Sequence, residues 1–411
     1  MGSTSYWQAA LESTMDMLRP LVQPLEGDCT TEVAIVGAGI AGTAIALELA
    51  RAGRAVRVLE SRHIAAGASG RNGGIITNGT GEKYATVVAR LGRENARRLR
   101  TFHVNNAQLA ASFIDECAQL GWSCEYRRTG ILGMATSESE LEDLQQSAAL
   151  LNEDGWQATI LNHHELPARV RQGYLGGIFH PDGGSLQPAK FVTGLALLAQ
   201  QAGAIFHAES PVTAITAGND GMRLTTPRGR VQARDVVLAT NAWLPEIGAQ
   251  LGVGWLATCI KPTRGQVIAT EPIDEQLFPS PCSADEGYQY WQQLADGRLV
   301  VGGWRNHSFS TEATMYETPG GEVQRQLDAF VHETLHLPEI RITHHWAGIM
   351  AFSRDGLPLI GKLPGRPHCY IAGGFTGHGN ASALQAASII RELVAGRTHP
   401  QADLFDPARF L

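Results

Sequence analysis

The 411-residue chain has six cysteines, Cys29, Cys117, Cys124, Cys259, Cys282 and Cys369, and no two of them stand in a C-x-x-C spacing. This argues against a disulfide framework or a cysteine-built zinc site and fits reduced thiols in a cytosol. No apolar run approaches the roughly 18 residues that a membrane span requires. The first 28 residues lack the charged-then-apolar plan of a signal peptide, so a cytoplasmic location is expected. Positive charge is not in excess either: 33 Lys and Arg face 40 Asp and Glu, for a net charge of −7. That balance argues against a nucleic-acid surface as the main function. Internal repeats and low-complexity segments are missing as well, which removes solenoid and linker readings.

Glycine, by contrast, is abundant. Its 46 copies imply many tight turns or close approaches of backbone to a ligand. The length exceeds the roughly 250–300 residues that one hydrophobic core serves, so two domains are expected. TEVAIVGAG reads as a strand, IAGTAIALELARAG as a helix and AVRVLE as a second strand, together one βαβ unit. Helical patterns then dominate as far as Leu150. A second α/β stretch starts at Pro188, strand-like alternation fills 257–305, and the chain closes with strand CYIAGG and helix ASALQAASIIRELVAG. Such alternation of blocks implies a nucleotide domain built from discontinuous pieces.

Gly37-x-Gly39-x-x-Gly42 leaves the first strand and opens the first helix. Gly37 permits the tight turn, Gly39 lets backbone approach a pyrophosphate, and Gly42 lets the helix pack closely on the strand. The helix start at Ile40 and Ala41 offers free N–H groups to phosphate. Glu60 ends the next strand, where an acid accepts hydrogen bonds from ribose hydroxyls and disfavours a 2′-phosphate. FAD and NAD remain equally open on these residues. GASGRNGG, Gly67 to Gly74, tips the balance toward a long ligand passing over bare backbone. GGFTGHGN, Gly373 to Asn380, is another Gly-rich loop, and it opens an apolar helix. That helix N-terminus would stabilise negative charge on the pyrimidine side of a reduced flavin.

The combination of VAIVGAGIAG, GASGRNGG, LATNAW, PTRGQVIATEP, YWQQLADGRLVVGG, WAGIMAFSRDGLPLIG and GGFTGHGNA resembles the FAD-dependent D-amino-acid oxidase/glycine oxidase superfamily. It is most similar in look to the γ-glutamylputrescine oxidoreductase branch, whose members share an SYW-like arm. The resemblance covers about residues 5–405. It implies an α/β (α+β) chain with a discontinuous Rossmann-like FAD-binding domain and a substrate domain with a mainly antiparallel sheet and flanking helices. The expected division is an N-terminal arm at 1–28, an FAD domain at 29–80, 185–245 and 340–411, and a substrate domain at 81–184 and 246–339.

The resemblance assigns to the cofactor Gly37, Gly39, Ile40, Ala41, Gly42, Glu60 and Ser61 of the βαβ unit. From the early loop it adds Gly67, Ala68, Ser69, Arg71, Asn72, Gly73 and Gly74. Val212 and Asn241 follow from the second α/β stretch, and Gly374, Gly377, His378 and Gly379 from the late loop. Sarcosine-type relatives often attach flavin through His or Cys. Here Arg71 and Asn72 occupy the early loop and no cysteine matches the late position, so non-covalent FAD is expected.

Amine oxidation needs little acid–base machinery: hydride leaves the α-carbon for flavin N5, and the imine then hydrolyses. Candidates for placing the substrate are Arg264 in TRGQ, with Tyr288, Tyr290 and Trp304; His378 would hold or tune the flavin. Each has a plainer alternative, an ion pair for Arg264, sheet packing for the aromatics, capping for His378. If the substrate carries a carboxylate, Arg264 is the first choice of clamp, with Arg71 and Arg305 next. The expected partners are a small amine or amino acid and O2 or another electron acceptor. An NAD-dependent dehydrogenase and a flavoprotein subunit feeding a protein partner are the alternatives. VHETLH, Val331 to His336, contains the His-Glu-x-x-His of zinc hydrolases. Pro338 follows at once, and Leu327, Phe330, Val331 and Leu335 form an apolar stripe, so packing is the expected role and no metal is expected.

Overall fold

The computed structural model describes residues 3–11, 21–218 and 221–411. Part of the expected arm, residues 12–20, therefore lies outside the described residues. Two eight-stranded sheets carry the fold. In the first, Cys29–Val36 lies between Val56–Leu59 and Gly229–Leu238, parallel to both. Ile205–His207 and Cys369–Gly373 extend the parallel set outward, and Leu359–Lys362 closes one edge antiparallel. Val33 and Ile35 pack into one apolar cluster and Ala34 and Val36 into another. Burial on both faces explains why this strand reads as a continuous apolar run. Helices Ile40–Arg51, Pro188–Gln201 and Ala383–Val394 cover one face.

Gly42 is essential to that layering. A Cβ there would stand 1.9 Å from the Gly37 carbonyl oxygen, so only glycine lets this helix start against its strand. Gly37 itself has φ 103°, a left-handed value that glycine alone adopts without cost.

The second sheet is antiparallel except where Cys282–Ala284 pairs with Ile131–Ala135. Helix Gly321–Ala329 and the π turn Phe330–Thr334 cover its outer face over Trp291, Val301, Leu327 and Leu335. Its other face turns toward the first sheet. One boundary differs from expectation. Ile342–Ser353, placed by sequence at the start of the last FAD-domain piece, pairs along its length with Ile260–Thr270 and forms the edge of this second sheet. Its run of buried residues looks like a strand of either sheet, and only the long antiparallel register distinguishes them.

The VHETLH segment shows why its pattern carries no zinc geometry. The helix opens into a π turn at 330–334, and His336 lies beyond its end with φ 53°. The two imidazoles therefore do not ride successive turns of one helix, and His332 Nε2 faces the Ile340 carbonyl at 2.9 Å. Among the described residues no three His, Cys, Asp or Glu side chains gather as a metal site requires, and no helix is long and apolar enough to cross a membrane.

Candidate active site and cofactor cradle

A cavity of about 820 Å³ separates the two sheets. Strand ends at Val36, Leu59 and Ala239 line it from the first sheet, and Gly133, Val267 and Tyr290 from the second. At its nucleotide end Glu60 is pinned by the loop it serves. One carboxylate oxygen accepts from Ala38 N–H at 2.8 Å, and the other from Arg62 N–H at 2.9 Å and the Ser61 hydroxyl at 3.1 Å. The oxygen that accepts from Ala38 keeps a further lone pair for a ribose. Ser69 Oγ accepts from Ile40 N–H at 3.0 Å, while the Ala41 and Gly42 N–H groups have no partner among the described residues. A Cβ on Gly39 would meet Ser69 Oγ at 2.9 Å, so the backbone is bare where a pyrophosphate would lie. The buried Thr240 hydroxyl, also on the wall, lacks a partner among the described residues. These residues fit a dinucleotide with free ribose hydroxyls.

The early loop has few side chains, and other segments hold it in place. Arg71, only 6% exposed, donates to the carbonyls of Ala66 (2.8 Å), Ser3 (2.6 Å) and Ala347 (2.9 Å). Trp7 donates to Asn72 O and Trp346 to Arg71 O. Asn72 caps Gly74 N–H and donates to Ser69 O, and Asn380 donates to Asn72 Oδ1 and Ile75 O, joining the late loop to the early one. Asn241 accepts from Gly374 N–H at 3.1 Å, a second tie of the same kind. Of the other assigned positions, Gly67, Ala68, Gly73, Val212, Gly377 and Gly379 line the cavity, whereas Gly42, Gly74 and Gly374 shape the turns behind it.

At the far end the second sheet brings Tyr288, Tyr290, Arg305 and Phe352 beside His378. The Arg305 guanidinium lies 4.5 Å from both the Tyr288 and Phe352 ring centres, and no acceptor pairs with it among the described residues. Burial pushes the Tyr290 phenol up to about 12, with Arg305 pulling the other way. His378 Nδ1 donates to Thr376 O at 2.8 Å, which leaves Nε2 as an acceptor. Burial, aided by Arg305, lowers the pKa of this ring and keeps it neutral at neutral pH.

Two expected substrate residues are elsewhere. Arg264 forms a two-pronged pair with Glu312, both contacts at 2.7 Å, and spends its remaining amino group on Thr318 O. It projects from the outer face of its strand, the face of Ile268, away from the cavity. Trp304 is 5% exposed and packs on Phe330 in the outer core. Arg71 borders the cavity, but three of its N–H groups go to backbone carbonyls and its Nη2 lies 3.8 Å from Glu317, which leaves it poorly placed as a carboxylate clamp. Sequence reasoning missed Asn380, Met350 and Phe352. The spacing of Gly348, Met350 and Phe352 by two along one strand was the available signal.

A family model described as FAD dependent oxidoreductase matches residues 32–393. The chain belongs to that FAD-dependent oxidoreductase family. This decides for FAD over a nicotinamide. Among curated family relatives, a probable oxidoreductase OrdL of Haemophilus influenzae is 28% identical, over 89% of this chain and 83% of the relative. The gamma-glutamylputrescine oxidoreductase of Escherichia coli is also 28% identical, over 93% of this chain and 87% of the relative. In three dimensions the chain superposes on L-proline dehydrogenase from P. horikoshii with a TM-score of 0.78 at 25% identity, covering 94% and 98% of the two chains. Glycine oxidase from Geobacillus kaustophilus gives 0.78 at 22% identity, covering 93% and 98%, and shows the same fold.

The Arg264–Glu312 pair generates the first prediction. Glu312→Gln strands a largely desolvated guanidinium and should cost about 2–3 kcal/mol, below the usual loss for a broken buried pair because Arg264 keeps some solvent. Denaturant unfolding should register that loss, while affinity for carboxylate ligands stays unchanged. A stable variant with altered ligand affinity would return Arg264 to the site.

Proposed function

We propose that this chain oxidises the C–N bond of an amine or amino acid bearing a carboxylate, with electrons passing to O2 or another acceptor. Arg305 carries the reading. It is a guanidinium on the cavity wall, held between two rings with no acceptor among the described residues, whereas Arg264 is paired with Glu312 and Arg71 gives three hydrogen bonds to backbone carbonyls. The names of relatives, gamma-glutamylputrescine oxidoreductase and glycine oxidase among them, favour an amine as the substrate class.

FAD, held between the early and late glycine loops, would supply the two-electron acceptor for the hydride of the substrate α-carbon. The protein's part is placement and proton handling. Arg305 grips the carboxylate through two parallel hydrogen bonds, a geometry that Lys does not reproduce. Tyr288 and Phe352 keep the guanidinium planar to the wall and exclude water from it. His378 Nε2 takes a proton from the substrate ammonium, freeing the nitrogen lone pair that drives hydride loss from the neighbouring carbon. Gly73 lets the Tyr290 ring close against the early loop, since a Cβ there would meet that ring at 2.7 Å, and Gly303 lets its strand close on the Tyr288 carbonyl, which a Cβ would meet at 1.9 Å.

FAD is held non-covalently on this reading. Among the cavity-lining cysteines described, only Cys282 appears. Burial raises its pKa, and its thiol donates to Ser280 O at 3.5 Å. Acid precipitation should therefore leave the yellow colour in the supernatant, and colour retained in the pellet would contradict it.

Arg305→Met tests the clamp. Anaerobic flavin bleaching should slow roughly a hundredfold for a carboxylated amine, the worth of a charge-assisted bidentate contact, and change little for the matched amine without a carboxylate. Equal losses on both, at unchanged FAD content, would show that Arg305 supports the fold instead.

A further inference from the structure

Beyond His378 the cavity continues along a bare strip of backbone. A Cβ on Gly81 would lie 2.6 Å from the His378 ring, and one on Gly79 would lie 2.8 Å from Arg100 Nη1. Helix Arg93–Gln119 presents Arg100 and His103 to this wall, and His180 reaches it from Gly176–His180.

Arg100 is 7% exposed, and its Nε and Nη2 are buried with no hydrogen-bond partner among the described residues. Its one contact of note is the Trp156 ring, 6.0 Å away. Asp182 is the carboxylate whose charge reaches it, Asp154 stands behind Tyr84, and both are occupied. Asp154 accepts from the Tyr84 hydroxyl at 2.7 Å and pairs with Arg93 at 3.0 Å, and Asp182 pairs with Arg128 at 2.5 Å. Two unpaired imidazole nitrogens stand nearby, His103 Nε2 and His180 Nδ1. His103 Nδ1 donates to Ala381 O at 2.9 Å, so its free nitrogen is an acceptor. Burial lowers both rings to about 4, leaving them neutral at neutral pH.

A guanidinium kept out of water without a counter-ion is costly, and proteins retain such a group where something else supplies the anion. The flavin phosphates do not serve, because the glycine turn and Ser69 receive them at the other end of the cavity.

We propose that Arg100 is a second anion subsite, binding a carboxylate that the substrate carries remote from the oxidised C–N bond, with His103 and His180 accepting hydrogen bonds from N–H groups beside it. The substrate is then an amine with an anionic or amino-acid head at its distal end. The inference rests on the reading that this cavity takes carboxylated amines, but it depends on Arg100 and not on Arg305.

Calorimetric titration of the holoenzyme with dicarboxylates from succinate to suberate, each against the monocarboxylate of equal length, tests it. At one length the dicarboxylate should bind roughly tenfold to a hundredfold tighter, the worth of a charge-assisted contact. Arg100→Met should erase that advantage and leave the monocarboxylate unchanged, and Arg100→Lys should keep part of it. No advantage at any length in the wild type, or an advantage that survives Arg100→Met, overturns the subsite. The wild-type comparison needs no variant, and Arg100→Lys carries the assignment if Arg100→Met fails to retain FAD. Arg305→Met separates the two readings. If it leaves both ligand classes unaffected while the Arg100 dependence persists, the Arg305 clamp fails and the distal subsite stands.

Discussion

The buried Arg71 guanidinium joins three parts of the molecule that sequence separates widely. It binds the carbonyls of Ser3 in the N-terminal arm, Ala66 at the head of the early glycine loop, and Ala347 in the edge strand of the second sheet. Desolvation lowers its pKa, but an arginine stays charged through any ordinary pH, so these three hydrogen bonds persist. A loop made of glycine, alanine and serine cannot fix its own shape, because it has almost no side chains to pack. Arg71 fixes it from behind, with Trp7, Trp346 and Asn380. The position of the cavity between the sheets follows from that anchor.

How much of this was legible depended on whether a residue's role is local. The glycine turn and Glu60 were legible because the steric reason lies within one βαβ unit: Gly42 needs no Cβ for the sake of Gly37, five residues before it. Arg264 and Arg305 look alike in sequence, each in a strand-like segment. What separates them is Glu312, distant in the chain, and the fact that Val267, Ile268 and Ala269 are all apolar and hide which face points inward. Trp304 takes the packing role for a backbone reason. Alternation along Leu299–Gly303 puts residue 304 on the cavity side with Val300. Gly303 at φ 118° and Trp304 at φ 56° break that alternation, sending the indole into the outer core and Arg305 into the cavity. Two successive left-handed residues are not visible as a pattern when one of them is tryptophan.

The cavity wall is organised by what its polar groups lack. Carboxylates nearby are satisfied by Lys, Arg or backbone N–H, whereas Arg305 and Arg100 are not. Imidazoles between them are kept neutral by burial, so the wall offers donors at two places and acceptors in between. A hydrophobic lining alone would accept any flat ligand. This pattern of unmet donors and acceptors selects among ligands, since a site built to pair a group rejects analogues that leave it unpaired.

A crystal structure of the holoenzyme with a small carboxylate ligand tests this arrangement most directly. The flavin should lie between the early and late glycine loops, with the ligand carboxylate on the Arg305 guanidinium and both rings still flanking it. A ligand whose carboxylate is held elsewhere, with Arg305 stacked on Tyr288 and Phe352 and touching nothing else, would contradict it.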